Sequence, residues 1–460
     1  MALLTKAPRG TQDVLPADVY RWQHIERTAL TAAANSGYRE IRTPVFEHTE
    51  LFHRSVGETT DVVQKEMYTF EDKGNRSVTL RPEGTASAVR SILEHGLLNG
   101  PLPLKVCYIA SCYRYEKPQA GRLREFHQFG VECFGAAAPG ADAEVIALAK
   151  EILDALQITG VSLHLNSIGC PTCRGEYHKA LIAYFEERQE ALCDTCRDRL
   201  HRNPMRILDC KNPDCAAAAA GAPVMLDYLC EDCRAHFEGV KGCLSAAEIP
   251  FEIDPRIVRG LDYYTRTVFE FVSDALGAQA VVCGGGRYDG MVQELGGQPT
   301  PALGFGMGLE RLLLVMEAVG APFPEPAGCD LYLAPMGEAA ARRCFAIAAG
   351  LRQGGVSVET DLTGRGLKAQ MKYADKIGAR WVIVVGEEEL ASGVARLKDM
   401  ATGGQEEIRL DDSLFTTLSQ KAIDRQLADL TDLFGEMAMN GDSDTGALSG
   451  LFGSDREKGK

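Results

Sequence analysis

No uninterrupted run of about 18 apolar residues, the length a membrane-crossing helix needs, occurs in the chain. Residues 1–16 carry Lys6, Pro8, Arg9 and Pro16 and hold no apolar stretch of signal-peptide length, so the chain is expected in the cytosol. Positive charge is also in short supply. Lys and Arg number 49 against 64 Asp and Glu, for a formal net charge of -15. That balance excludes a protein that coats nucleic acid or anionic membrane non-specifically, which works through excess positive charge. Any RNA contact has to come from local basic patches. Regular alternation of strand and helix is missing before the last third of the chain, which favours an α+β domain with a largely antiparallel sheet.

What is present fits a globular protein. The 460 residues are 45% hydrophobic and 25% charged, enough material for two or three hydrophobic cores. The cysteine count of 15 is high and odd for a cytosolic chain, where thiols stay reduced, so clustered pairs point to metal before disulfide.

Val19, Trp22, Ile25 and Ala29 recur at near-helical spacing and predict a helix ending at Gly37. Strands are expected at Tyr38–Arg42, Ser77–Leu80, Lys105–Ser111, Phe126–Phe134 and Thr267–Val272, with helices at Thr85–Glu94 and Ala141–Leu156. Residues 169–242 differ in character: cysteines cluster and Ala216–Ala220 form a short low-complexity run. They read as a module inserted between two parts of one domain, 1–168 and 243–325. After the Pro-rich stretch from Pro322 to Pro326, residues 328–430 alternate strand and helix as a separate α/β domain. Residues 431–460 are rich in Gly, Ser and Asp and are expected to form a mobile tail.

Three segments carry candidate chemistry. Glu83-Gly84-Thr85 sets a carboxylate and a hydroxyl where a strand gives way to a helix; they could hold an ammonium group, or Thr85 could simply cap the helix. Arg114-Tyr115-Glu116, a basic loop holding Gln119 and Arg122, and Phe126–Glu132 form a hairpin with cationic walls. Arginine suits phosphate because its planar fork donates paired hydrogen bonds and stays charged. Strand alternation puts Gln128, Gly130 and Glu132 on one face. Gly304-Phe305-Gly306-Met307-Gly308 leaves one strand face bare for a flat ligand and runs into Arg311. This pattern is neither the phosphate loop nor the dinucleotide turn. If ATP binds here, arginines hold its phosphates.

Together, Arg114 to Glu116 with their loop and Gly304 to Arg311 resemble motifs 2 and 3 of class II aminoacyl-tRNA synthetases, and Arg42 to Pro44 resemble their motif 1. Arg259-Gly260-Leu261-Asp262-Tyr263-Tyr264-Thr265-Arg266 and Gly284–Gly290 are similar to the two signatures of the histidyl-tRNA synthetases within that class. The resemblance implies a class II catalytic domain interrupted by the module, then an anticodon-binding domain. It implies that Arg259 and Arg114 meet the α-phosphate of ATP and Arg311 the γ-phosphate, with Glu116, Arg122 and Phe126 completing the ATP site. Glu83, Thr85 and Gln128 would hold the α-amino group of histidine; Glu132 and Tyr264 would meet the ring nitrogens, with Tyr263 and Tyr288 as walls. Substrates would be L-histidine, ATP with Mg2+, and tRNA for histidine; the enzyme would be a homodimer. The alternative is an inactive, histidine-sensing regulatory subunit of ATP phosphoribosyltransferase.

Two further patterns bear on partners. Lys368, Lys372, Lys376 and Arg380 recur every four residues and would make one cationic stripe on a helix. The resemblance directs that stripe to the anticodon stem, and Gln119 to the tRNA acceptor end. Cys170-x-x-Cys173 and Cys193-x-x-Cys196 lie 19 residues apart, within range of one structural zinc site, and Cys210, Cys215, Cys230 and Cys233 could make a second.

Overall fold

The helix expected from Val19, Trp22, Ile25 and Ala29 forms as α1 (Val19–Asn35) and buries Ile25 and Ala29. The chain, as a computed structural model, is described over residues 4–57, 60–279, 281–324, 326, 328–421 and 423; the tail expected at 431–460 lies outside the described residues. It divides into two units, Met1–Pro324 and Glu325–Lys460. Among the described residues, no helix is long and apolar enough to cross a membrane.

In the first unit the strand expected at Tyr38–Arg42 shortens to β1 (Arg39–Glu40). Next come β2 (Phe46–His48), α2 (Thr49–Val56), β3 (Tyr68–Glu71) and β4 (Ser77–Leu80), whose strands pair antiparallel in the order β2-β4-β3. Beyond α3 (Thr85–Glu94), the expected hairpin is built from β5 (Leu104–Tyr113) and β6 (Glu125–Phe134), followed by α4 (Pro139–Ala155) and β7 (Val161–Ser167). The cysteine-rich segment is helical: α5 (Pro171–Glu186), α6 (Asp194–Arg199), α7 (Pro213–Ala219) and α8 (Glu231–Ala246). Then β8 (Glu252–Ile253), β9 (Thr265–Ser273), β10 (Val281–Arg287), α9 (Met291–Glu294), β11 (Ala302–Gly308) and α10 (Leu309–Val319) complete the unit.

One eight-stranded sheet, in the order β1-β5-β6-β11-β10-β9-β7-β8, organises the unit; it is antiparallel except at its two outer pairs. Alternation divides its faces. Phe129, Val131, Phe269, Phe271, Phe305 and Met307 enter a core shared with apolar residues of α1, α4, α8 and α10, while the opposite face carries the polar residues described below. Phe237, Val240 and Leu244 of α8 belong to this same core, so the cysteine-rich segment is anchored in it.

The second unit holds β12 (Leu331–Pro335), α11 (Glu338–Gln353), β13 (Val358–Thr360), α12 (Leu367–Lys376) and β14 (Trp381–Val385), the alternation expected from sequence. Its three strands are parallel, with apolar residues buried on both faces. The sequence reading missed α13 (Glu387–Ser392) and the antiparallel strands β15 (Val394–Asp399) and β16 (Gln405–Arg409), which are short and charged and bury few residues.

Candidate active site

A glycine floor crosses the polar face of the large sheet. One register row reads Tyr108, Gly130, Gly306, Gly284, Glu270, and the next reads Val106, Glu132, Gly304, Gly286, Val268. The expectation was that Gly304 and Gly306 leave a face bare for a flat ligand. Instead, neighbouring side chains use much of that space. A Cβ on Gly304 would lie 2.2 Å from Glu132 Oε2, and one on Gly306 would lie 2.1 Å from Gln128 Nε2. Likewise Gly284 admits the Arg259 guanidinium, 2.6 Å from where its Cβ would stand, and Gly130 admits the Tyr108 ring at 2.4 Å. The glycines therefore let functional side chains lie flat along the sheet.

Acidic and aromatic groups gather at one end. Glu132 is buried and accepts from the hydroxyl of Tyr108 at 2.9 Å and from that of Tyr288. Burial pushes its carboxyl up to about 8, against the opposing pull of these hydroxyl bonds. Glu83 accepts the backbone N–H groups of Thr85 at 2.7 Å and Ala86 at 2.8 Å. Glu83, and not Thr85, thus satisfies the free amides at the start of α3. Burial raises the Glu83 pKa as well. Tyr263 lies 4.6 Å from Tyr264 and 5.6 Å from Tyr288, between ring centroids, closing the wall.

Arginines gather at the other end. Arg259 donates to Glu270 and lies 5.6 Å from the Tyr264 ring centroid. Arg114 is tied to the Pro82 carbonyl at 2.8 Å and lies 5.3 Å from the Phe126 ring centroid, and Arg122 pairs with the buried Glu116. Arg311 reaches the Val281 carbonyl at 2.7 Å and that of Gly121 at 3.2 Å. Burial first, then repulsion by Arg122, lowers the Arg311 pKa. An anion between them would relieve the second cause.

Two adjoining cavities follow this division. The larger, of about 430 Å³, is lined by Glu83, Thr85, Gln128, Glu132, Tyr263, Tyr264 and Tyr288. The smaller, of about 200 Å³, is lined by Phe126, Gly308 and Arg311. Arg114, Glu116, Arg122 and Arg259 border both. An acid-lined pocket beside a multi-arginine pocket can bring an ammonium-bearing molecule next to a polyphosphate.

Other expected site residues are not among those that line these two cavities. Gln119 is exposed in the β5–β6 loop, bridged to Arg122 through backbone bonds of 3.0 and 2.9 Å, and lines neither cavity. In the second unit Lys368, Lys372 and Lys376 are exposed on α12 as the stripe predicts. Arg380 does not continue it: the helix stops at Lys376, Gly378 takes a left-handed φ of 65°, and Arg380 lies 3.5 Å from Asp330.

The cysteines pair differently from expectation. Cys170 and Cys173 meet Cys230 and Cys233, while Cys193 and Cys196 meet Cys210 and Cys215. Chain spacing fixes which cysteines share a helix end but not which ends face each other.

Sequence reasoning missed several supporting residues. Tyr108 reads as one more apolar position in a strand, and Glu270 as its polar alternate. Arg174, Asn203 and Arg206 come from the cysteine-rich segment and reach the signature loop: Arg174 donates to the Tyr264 carbonyl, Asn203 to Asp262 at 3.0 Å and Arg206 to the Arg259 carbonyl at 2.7 Å. No local pattern marks such long-range contacts.

A largely antiparallel sheet with a glycine floor, convergent arginines and a hairpin at the site is the arrangement that the resemblance to class II aminoacyl-tRNA synthetases implies. Residues 10–312 match the family model described as histidyl-tRNA synthetase, and residues 330–419 match that of an anticodon binding domain. The histidine–tRNA ligase of Acetivibrio thermocellus is 56% identical over 409 residues, covering 89% of this chain and 98% of that one. That of Caldanaerobacter subterraneus subsp. tengcongensis is 54% identical over 410 residues, with 89% and 98% covered. The crystal structure of apo S. aureus histidyl-tRNA synthetase is similar with a TM-score of 0.78 at 40% identity, covering 90% of this chain and 100% of that one. The chain belongs to the histidyl-tRNA synthetase family.

Proposed function

We propose that the protein ligates L-histidine to its tRNA at the expense of ATP, through a histidyl-adenylate. The histidine carboxylate attacks the α-phosphorus, the bond to diphosphate breaks, and a ribose hydroxyl of the tRNA terminus then takes the acyl group as AMP leaves. Negative charge grows on the α-phosphate, and fixed cations aimed there are the largest available source of rate. Arg259 and Arg114 border both cavities and are assigned to it; Arg311 takes the γ-phosphate, with Glu116, Arg122 and Phe126 completing the nucleotide pocket. Glu83, Thr85 and Gln128 take the ammonium group. Glu132 and Tyr264 take the ring nitrogens, and Tyr263 and Tyr288 wall the pocket. Leaving a buried ring N–H unpaired would cost about 1–3 kcal/mol, which is how the pocket selects histidine. Magnesium enters with ATP, held mainly by phosphate oxygens and water. Glu116 borders both cavities and would share it.

The observation that carries this reading is the adjoining acid-lined and arginine-lined cavities over one glycine floor. We assign Lys368 and Lys372 to the anticodon arm and Gln119 to the acceptor end, and we place the enzyme in the cytoplasm as a homodimer. Exposed Val45 and Phe46, next to the motif 1 segment in the chain, support association of two copies. The matched anticodon domain favours an enzyme over a histidine-sensing subunit. Histidine-dependent exchange of diphosphate into ATP, abolished in Arg259→His, is the expected result. Absence of exchange in the unaltered protein would overturn the reading.

A further inference from the structure

Eight cysteines converge in two groups of four, each drawing its ligands from two helix starts. Cys170 and Cys173 at the start of α5 face Cys230 and Cys233 at the start of α8; Cys193 and Cys196 at the start of α6 face Cys210 and Cys215 across the start of α7. Within each group the sulfurs all lie within 4.8 Å of one another. Recorded separations are 3.6 Å for Cys170–Cys173, 4.0 Å for Cys170–Cys230 and 3.9 Å for Cys193–Cys210. A tetrahedral zinc ion with Zn–S bonds of about 2.3 Å sets its sulfurs about 3.8 Å apart. A disulfide would bring two sulfurs to about 2.05 Å and leave the other two without a role. The two groups also share one internal arrangement. The Cys230 amide donates to Cys173 Sγ at 3.1 Å, and the Cys193 amide donates to Cys215 Sγ at 3.1 Å, so in each an amide from one arm supports a sulfur of the other. In each group two cysteines are buried and two half-buried, an environment from which an ion would not be exchanged readily.

We propose that each group binds one zinc ion as a closed tetrathiolate, and that the two ions together hold the segment Arg259–Arg266 from outside. This segment begins and ends in left-handed backbone, with φ of 56° at Arg259 and 51° at Arg266. Such non-glycine conformations cost about 1–3 kcal/mol each and persist only where the surroundings impose them. Arg174, one residue beyond Cys173, donates to the Tyr264 carbonyl. Asn203 and Arg206, in the loop between Cys196 and Cys210, hold Asp262 and the Arg259 carbonyl. One ion thus braces the tyrosine end and the other the arginine end. Neither carries an open position for catalysis: four thiolates complete the coordination, and binding releases the thiol protons.

Metal content of the full chain, grown with zinc and purified without chelator, tests this independently of enzymatic activity. Two equivalents of zinc per chain are expected, with X-ray absorption showing four sulfurs at about 2.3 Å. Cys173→Ser and Cys196→Ser should each retain one equivalent, and the double variant none. If Cys170, Cys173, Cys193 and Cys196 shared one ion, the double variant would retain the second, which would overturn the pairing. For the unaltered chain, which requires no folding of a variant, titration with a mercurial should release zinc at four thiols per ion. Less than a tenth of an equivalent, a mass deficit corresponding to disulfides, or iron in the same proportion would each overturn the assignment. Zinc-stripped protein should show about a tenfold higher KM for histidine in diphosphate exchange, reversed by zinc. An unchanged KM would overturn the bracing role.

Discussion

The two signature segments of this family are held in opposite ways. Gly284–Gly290 belongs largely to β10, a central strand hydrogen-bonded on both sides. At its end Arg287 is fully buried and bonded to Asp142, the Ala136 carbonyl and Asp289, while His236 of α8 completes the cluster at 3.1 Å from Asp142. Arg259–Tyr264, by contrast, precedes β9 and takes its support from residues far away in sequence, Arg174, Asn203 and Arg206. One segment is positioned by the core, α8 included; the other is positioned by polar side chains from α5 and from the residues between Cys196 and Cys210. Substitutions near the first should therefore cost stability, and substitutions near the second should cost activity.

The largest effect is expected at Arg287. Arg287→Met leaves Asp142 charged in the core, and breaking a buried pair from one side costs about 3–5 kcal/mol. Denaturant unfolding should show that loss, while the folded fraction keeps exchange activity within a few-fold. Burial alone would raise the Asp142 pKa, but bonds from His236 and Arg287 outweigh it and hold it lowered. The pair's contribution is thus present above the ordinary carboxylate range and fades as pH falls through the lowered value. A variant of unaltered stability would remove the distinction between the segments.

Gly284→Ala joins the two. Its Cβ would meet the far end of the flexible Arg259 side chain, so the fold can yield but the guanidinium must move. A loss of about 100-fold in kcat/KM, roughly 2.7 kcal/mol, is expected with little change in Tm. A large fall in Tm with normal kinetics would show that the floor, and not Arg259, needs the glycine. Smaller again is Arg206→Ala, which removes the bond to the Arg259 carbonyl. We expect about a tenfold rise in the histidine KM, near 1.4 kcal/mol, with kcat changed less. An unchanged KM would mean that the loop holds itself.

Legibility in sequence follows the same division. The β5–β6 hairpin and the shared face of Gln128 and Glu132 were legible because alternation is a local, two-residue rule. The helix α1 was legible from the local spacing of Val19, Trp22, Ile25 and Ala29. Glu83 was legible as a carboxylate at a strand–helix junction, although it is Glu83 that bonds the α3 amides, the task that the alternative reading gave to Thr85. Tyr108 was not legible, because only the register row shows that its ring fills the space left by Gly84 and Gly130. Nor was the pairing of cysteines, since two helix starts meet through tertiary packing. Arg380 fell off the stripe because Gly378 ends the helical path before it.

The remaining expected effect concerns Glu132, the buried acid at the acidic end of the floor, and it is a slope with pH and not a loss at one pH. Its folded pKa is raised to about 8, chiefly by burial, whereas an unfolded glutamate titrates near about 4.3. Between those values the folded chain retains a proton that the unfolded chain has released. Stability from this group therefore falls as pH rises through that window, the reverse of the Asp142 case. Glu132→Gln cannot titrate, so its Tm should decline less than that of the unaltered protein between pH about 5 and 8, by roughly 2–4 °C for each kcal/mol retained. Parallel Tm curves would mean that Glu132 is already ionised in the empty site. The bonds from Tyr108 and Tyr288 would then outweigh its burial, and the histidine pocket would be charged before the substrate arrives.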